Sequence, residues 1–175
     1  MNNLSPLIYV VPVIALVITI VEYIILIKQV ANKKAFRRLI LLILSFSFLL
    51  NTAWELIQLP FYKGASYSFQ HIIFCSLGAL ADTIMVLLLY QSFALIYKNP
   101  YWAMKMSVQK ILILVIMGGI GAILAEVRNV HSGNWAYSND MPIIPGINVG
   151  LYPILQFMIL PTCIYYFIMQ KKNIY

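Results

Sequence analysis

The chain is built from long apolar runs that are separated by short polar segments. Five such runs cover roughly residues 7–27, 39–60, 71–97, 111–127 and 147–169. A helix that crosses the hydrocarbon core of a membrane needs about 17 to 25 mostly apolar residues, a length that each run reaches. The pattern therefore predicts an all-α polytopic membrane protein in which residues 1–175 form a single five-helix transmembrane domain.

Composition points the same way. The chain is 62% hydrophobic and only 10% charged, whereas a soluble domain has about 25% charged residues. Cys75 and Cys163 both fall inside apolar runs, so no disulfide framework is expected. With two isolated histidines, His71 and His131, the sequence indicates no metal site and no cofactor.

The cations predict an orientation. Ten of the twelve Lys and Arg residues alternate onto one side of the predicted membrane: Lys28, Lys33, Lys34, Arg37, Arg38, Lys98, Lys105, Lys110, Lys171 and Lys172. The other side has only Lys63 and Arg128. Since positive loops stay in the cytoplasm, the N-terminus is expected outside and the C-terminus inside. Orientation thus explains the net charge of +7 without a nucleic-acid partner, and we expect a bacterial inner (cytoplasmic) membrane protein.

Acidic residues are concentrated in the apolar runs. Of the five acids, only Asp140 lies in a predicted loop. An ionisable group at the bilayer centre costs about 2.5–3.5 kcal/mol on insertion scales, so intramembrane acids usually have a function. Glu55, Asp82 and Glu126 are predicted to share the outer half of the membrane. Glu22 lies in the inner third of its helix, where it reaches the cytoplasmic interface or pairs with Lys28, and its role stays open.

Helical spacing arranges polar and small residues into stripes, because positions three or four apart share one face of a helix. The stripes are Ser47, Asn51, Glu55, Gln58 and Tyr62; His71, Cys75, Gly78 and Asp82; Gly119, Ala122 and Glu126; and Asn148, Tyr152 and Gln156. Polar groups in a membrane bundle are expected to face a shared interior, and glycines such as Gly118, Gly119 and Gly121 allow close helix contact. As an alternative, the amides simply hold the bundle together through interhelical hydrogen bonds.

The last external segment, residues 125–161, has few charges and several turn-forming residues. It is expected either to fold back as a lid over the helix ends or to form an ordinary aromatic belt. Within it, residues 126–161 resemble carotenoid cyclases of the heterodimeric lycopene-cyclase type in the order of an acid, a Trp-x-aromatic pair, glycines and a proline. The matching residues are Glu126, Trp135, Tyr137, Gly146, Gly150 and Pro153.

The resemblance implies a small helical membrane protein that acts on a long polyene without net redox change, often as two similar domains. Where those cyclases have acidic residues after the proline, this chain has Leu155 and Gln156. A second pattern, WExxQxP, is formed by Trp54, Glu55, Gln58 and Pro60 and resembles that of short bacterial membrane proteins of unassigned function.

The leading hypothesis is an intramembrane enzyme that acts on a lipid-soluble, isoprenoid-like substrate by carboxyl-mediated proton transfer. A carboxyl group in a poorly hydrated site favours its neutral form and can protonate an alkene. Glu55 and Glu126 are the predicted acid pair, with Asp82 below them. Aromatic faces attract cations, so the resulting carbocation is expected to face aromatic side chains. The predicted substrate-binding residues are Trp54, Trp135 and Tyr137 as aromatic walls and Asn51, Gln58 and Gln156 as orienting amides.

Two other classes of function stay open. The same cavity can bind or transport a small amphiphile or cation, with the acids as counter-ions. Alternatively, the chain is an accessory subunit whose stripes face a partner in a membrane complex, and a homo- or hetero-oligomer is left open. The expected partners are otherwise a lipid-soluble small molecule and membrane lipid.

Overall fold

A computed structural model describes residues 6–170. Its five long helices are α1 (Val10–Gln29), α2 (Lys33–Gln58), α3 (Phe69–Ile96), α4 (Val108–His131) and α5 (Leu151–Met169). Short 3-10 turns at Pro6–Tyr9, Leu59–Phe61 and Trp102–Lys105 flank them, and two short strands, β1 (Ile143–Ile144) and β2 (Val149–Gly150), precede α5. All five helices are long and apolar enough to cross a membrane, which confirms the predicted integral membrane protein of five spans.

Polar side chains begin three of the helices. Asn32, Ser68 and Ser107 each accept a hydrogen bond from a backbone N–H group in the first turn of the helix that follows. Such caps satisfy donors that the helix itself leaves unpaired. Because Asn32 caps α2, this helix begins at Lys33, six residues before the predicted span, and its first turns carry the cations that the sequence assigns to a connection.

The start of the fifth span is predicted wrongly. The sequence predicts Asn148 at the head of that helix, but it has a left-handed backbone (φ 54°) in the turn between antiparallel strands β1 and β2. The helix begins at Leu151. Asn148 therefore does not continue the stripe of Tyr152 and Gln156, because it lies before the regular helical spacing starts.

Helix α3 packs against both α1 and α2, and α5 packs against both α2 and α4. The end of the bundle at which α2 begins and α3 ends is filled by aromatic side chains. Trp102 has its ring centroid 5.8 Å from that of Tyr90 and 5.9 Å from that of Tyr165. The Tyr165 hydroxyl donates to the carbonyl oxygen of Val86 over 2.5 Å, and the Trp102 indole donates to that of Tyr90 over 3.1 Å. This end of the bundle is a tightly packed apolar core.

Glycines bring α4 close to α5. A Cβ atom on Gly118 would overlap the carbonyl oxygen of Phe157, and one on Gly119 would meet the Met158 side chain at 3.3 Å. The predicted close contact is thus confirmed at these two glycines. It is wrong for Gly121, which has open space where its side chain would be, since that position lies on another face of α4.

The connections α2–α3 and α4–α5 meet at the opposite end of the bundle. Tyr62 and Tyr137 form an isolated antiparallel bridge. The backbone N–H of Lys63 donates to Ala136 over 2.8 Å, and that of Ser138 donates to Phe61 over 2.9 Å. These contacts hold the last connection against the ends of the helices. Of the two predicted alternatives, this geometry is that of a lid, and we use this name for residues 132–150.

Candidate functional site

Glu55 and Asp82 form a carboxyl pair between neighbouring helices. The last turn of α2 carries Glu55, Asp82 lies near the middle of α3, and their carboxyl groups lie within reach of each other. Two carboxyl groups can form a hydrogen bond with each other only when one of them is protonated, because ionised carboxylates only accept. The pair is therefore a place where one proton can be shared.

Three amides surround this pair. The Gln58 side-chain nitrogen donates to Glu55 over 2.8 Å and approaches the Gln156 oxygen at 3.4 Å. The Gln156 nitrogen in turn donates to Asp82 over 2.9 Å and to Asn51 over 2.8 Å. Asn51 donates to the carbonyl oxygen of Ser47 over 2.8 Å. One network of hydrogen bonds thus joins α2, α3 and α5, as the aligned polar stripes predict.

Glu126 has a different environment. One of its carboxyl oxygens accepts hydrogen bonds from the Trp135 indole, over 3.1 Å, and from the Tyr137 hydroxyl. Both donors come from the lid, and Glu126 is only 7% exposed. Hydrogen bonds from two donors favour the ionised form of a carboxyl group, whereas burial favours the neutral form. Glu126 thus differs from the Glu55–Asp82 pair in that its neighbours are hydrogen-bond donors from the lid.

A glycine allows Tyr137 to reach Glu126. A Cβ atom on Gly150 would lie 2.9 Å from the Tyr137 ring, so a larger residue at this position would displace the phenol. Burial first, and then the charge of Glu126, raise the pKa of Tyr137 above its ordinary value. The phenol consequently remains a proton donor to Glu126.

Tyr62 lies near both the carboxyl pair and Glu126. Its ring centroid is 5.7 Å from that of Tyr137 and 6.4 Å from that of Trp135, which it meets edge to face. Burial first, and then the carboxyl groups of Glu126 and Glu55, raise the pKa of Tyr62 well above its ordinary value. Helical spacing places Tyr62 in the polar stripe of α2, although it follows the end of that helix. Sequence reasoning does not assign it to the site, because its position depends on the contact with the lid.

The residues of the carboxyl pair are less deeply buried than the amides around them. Glu55 and Asp82 are each partly exposed, unlike the buried Asn51, Gln58 and Gln156. Gly78 lies beside the pair, and a Cβ atom there would be 3.8 Å from the Glu55 carboxyl group. The pair thus lies closer to the surface of the bundle than the amide network does.

The predicted roles of Glu55 and Glu126 as an acid pair stay a prediction. The structure adds that Asp82 is the immediate carboxyl neighbour of Glu55, because α2 packs directly against α3. Glu126 is turned toward the lid, although it remains close enough to interact electrostatically with Glu55 and Asp82. The structure thus brings the three predicted acids together, with Glu55 and Asp82 as immediate neighbours and Glu126 close to both.

Other predicted residues lie elsewhere. Trp54 packs against the apolar core and not with the aromatic residues of the lid, since its position on α2 is about 100° from that of Glu55. Glu22 accepts a hydrogen bond from Ser92 of α3 over 2.9 Å, a partner that neither of the two predicted alternatives included. Asp140 is exposed in the lid, which confirms its assignment to a loop.

Within residues 6–170, no group of three or more His, Cys, Asp or Glu side chains is arranged to hold a metal ion. A cavity of about 260 Å³ lies at the far end of the bundle, between Trp102–Lys105 and the end of α5, and it is lined by Met104, Lys105 and Tyr166 among others. The candidate site is therefore the set of acids and amides beneath the lid.

Comparison of the chain with protein families, curated proteins and solved structures found no match.

Proposed function

We propose that the protein is an intramembrane enzyme that rearranges double bonds in a lipid-soluble, isoprenoid-like substrate by proton transfer. One observation carries this proposal: two neighbouring carboxyl groups, Glu55 and Asp82, lie near a third, Glu126, that accepts hydrogen bonds from two donors. A general acid and a general base have to differ in this way if both are to act in one reaction cycle. The environments of the Glu55–Asp82 pair and of Glu126 support these two roles.

The proposed reaction balances without a redox partner. The Glu55–Asp82 pair transfers its proton to one alkene carbon, and the π electrons form the new C–H bond. The neighbouring carbon becomes a carbocation, which either remains in place or is attacked by a second double bond of the same substrate. Glu126 then removes a proton from an adjacent carbon, and the electrons of that C–H bond form a double bond. The product is an isomer of the substrate, open-chain or cyclic.

The lid and the α2–α3 connection that it contacts supply aromatic groups suited to a cationic intermediate. Tyr62, Trp135 and Tyr137 offer aromatic rings near the acids, and such rings attract cations at a distance of about 6 Å or less. The resemblance of residues 126–161 to carotenoid cyclases supports the same class of substrate. Gln156 lies where that family has an acid, and here it hydrogen-bonds an acid from another helix, Asp82.

The orientation belongs to the same proposal. Lys28, Lys33 and Lys34 lie around the α1–α2 connection, and Lys98 and Lys105 lie between α3 and α4. Positive connections of this kind favour the cytoplasmic side. The lid and the acid site then lie toward the outer face of the membrane, with the N-terminus outside, and the inner membrane of a bacterium is the proposed location.

Deuterium incorporation tests the reaction on a mixture of candidate substrates. Purified protein in liposomes is incubated in D₂O with isoprenoid lipids extracted from a bacterial membrane, and mass spectrometry identifies lipids that gain carbon-bound deuterium. We expect incorporation by the wild-type protein and by Asp140→Asn, which removes an exposed lid acid. Glu55→Gln and Glu126→Gln should insert normally and lose the incorporation. Equal incorporation by all four proteins, or none with the wild type, would overturn the proposal.

A further inference from the structure

One polar atom in the site has no partner among the described residues. Gln58 is only 3% exposed, and its side-chain oxygen, Oε1, accepts no hydrogen bond. The orientation of this amide is determined by its neighbours, because its nitrogen faces the oxygen atoms of Glu55 and Gln156. A buried acceptor without a donor is destabilising, because it has lost its hydrogen bonds to water and gained none from the protein. The position of Oε1 therefore indicates a partner that can donate.

The amides and the lid have few donors left for such a partner. A side-chain amide has two N–H groups, and those of Gln58 are directed at Glu55 and Gln156. The two N–H groups of Gln156 are directed at Asp82 and Asn51. The Trp135 indole and the Tyr137 hydroxyl are both directed at Glu126. The second N–H group of Asn51 and the hydroxyl of Tyr62 are the donors that remain among these side chains. What the site otherwise offers is oxygen atoms that accept, together with negative charge.

We propose that the site binds a lipophilic ammonium ion, whose N–H group donates to the side-chain oxygen of Gln58 and whose positive charge is balanced by the neighbouring acids. In this proposal the alkyl chain of the ligand runs past Gly78, which lies beside the Glu55 carboxyl group and is partly exposed. The aromatic rings of Tyr62 and Trp135 lie on the lid side of the acids, where they add an attraction for the same charge.

This ligand class rests on the proposed function, because a protonated amine has the charge of the proposed carbocation. A site that stabilises a transition state binds its stable analogues more tightly than it binds the neutral substrate. A lipophilic amine should accordingly act as an inhibitor of the proposed reaction. Binding itself requires no turnover, so it can be measured independently.

Three amphiphiles with the same alkyl chain separate the contribution of the positive charge to binding from that of the hydrogen-bond donor. N,N-Dimethyldodecylamine in its protonated form has both a charge and an N–H donor. Dodecyltrimethylammonium has the charge alone, and dodecanol has a neutral donor alone. Binding to the purified protein is measured by the shift in unfolding temperature in one detergent. We expect the protonated amine to bind most tightly, by roughly tenfold over each of the other two probes.

Substitutions at Gln58 and Gln91 test whether amine binding depends on the proposed hydrogen bond. Gln58→Leu should weaken binding of the protonated amine by roughly tenfold and leave dodecyltrimethylammonium little changed, because only the donated hydrogen bond is lost. Gln91→Leu is the control, since Gln91 is equally buried and its amide also has no partner among the described residues. It lies about 13 Å along α3 from Asp82, at 1.5 Å per residue, and should not change binding.

The outcomes also separate this inference from the proposed function. Equal shifts with all three amphiphiles, or the same loss in Gln58→Leu and Gln91→Leu, would overturn the ligand class. Deuterium incorporation that the amine does not inhibit would leave the reaction standing and remove the ammonium site. Amine binding that depends on Gln58, in a protein that incorporates no deuterium, would retain the site and remove the reaction.

Discussion

Gln156 and Asp82 are 74 residues apart in the chain and are joined by a 2.9 Å hydrogen bond between α5 and α3. The same amide nitrogen donates to Asn51 of α2, so one side chain connects three helices. Gln156 is 2% exposed. Its amide thus positions Asp82, and with it the carboxyl pair on which the proposed chemistry depends.

Gln156→Leu should destabilise the bundle. The substitution removes donors from Asp82 and Asn51, and each buried polar group left unpaired costs about 1–3 kcal/mol. We expect the free energy of unfolding in detergent to fall by roughly that amount or more. Gln170→Leu, at an exposed position just after α5, is the control. Equal stability of the two variants would show that the network does not stabilise the fold.

The α4–α5 contact offers a matched pair of glycine substitutions. In Gly118→Ala the new methyl group overlaps the backbone of Phe157, so α4 has to move away from α5. We expect a loss of about 1–3 kcal/mol in the free energy of unfolding. Gly121→Ala, where the methyl group meets nothing, should be neutral or raise stability by up to about 1 kcal/mol. The reverse order of stability would contradict the close packing.

The orientation of the bundle can be read from cysteine labelling in intact cells. In a background without Cys75 and Cys163, a cysteine is introduced by Lys63→Cys or by Lys34→Cys, both of which are exposed positions. A membrane-impermeant maleimide should label the first variant directly and the second only after the cells are permeabilised. Labelling in the opposite pattern would place the acid site near the cytoplasm.

The phenols beneath the lid predict a dependence of stability on alkaline pH. Burial and the nearby carboxyl groups raise the pKa of Tyr62 and of Tyr137 in the folded protein, whereas tyrosine in an unfolded chain ionises at about pH 10. Above that pH the unfolded chain binds fewer protons than the folded one, so the free energy of unfolding falls as the pH rises. Below it the contribution is fully present.

Tyr62→Phe and Tyr137→Phe test this dependence. Each variant removes one of the phenols, so its stability should fall less steeply than that of the wild type as the pH rises above about 10. Denaturant unfolding over a series of alkaline buffers measures the slope. A slope unchanged in both variants would mean that these phenols ionise in the folded protein as readily as in the unfolded chain.

The sequence predicts those parts of the site that depend on one helix at a time. Asn51, Glu55 and Gln58 lie on one face of α2 because helical periodicity is a local property. The same holds for Gly118 and Gly119 on α4. Apolar length likewise predicts five helices, since each span has to satisfy its own backbone within the membrane.

Contacts between helices and connections are less predictable. The partner of Glu55 depends on which helix packs against α2, and spacing within a helix does not contain that information. The bridge between Tyr62 and Tyr137 joins connections that are far apart in the chain. Asn148 continues the helical spacing in the sequence, yet its left-handed backbone places it in a turn.

Infrared spectroscopy of the carboxyl groups tests the central claim most directly, because a protonated carboxyl group has a C=O stretching band separate from those of a carboxylate. If Glu55 and Asp82 hold a proton between them, one such band should change in both Glu55→Gln and Asp82→Asn and stay unchanged in Asp140→Asn. Two bands that respond independently to the two substitutions, or a band that neither substitution alters, would contradict the shared proton and the chemistry built on it.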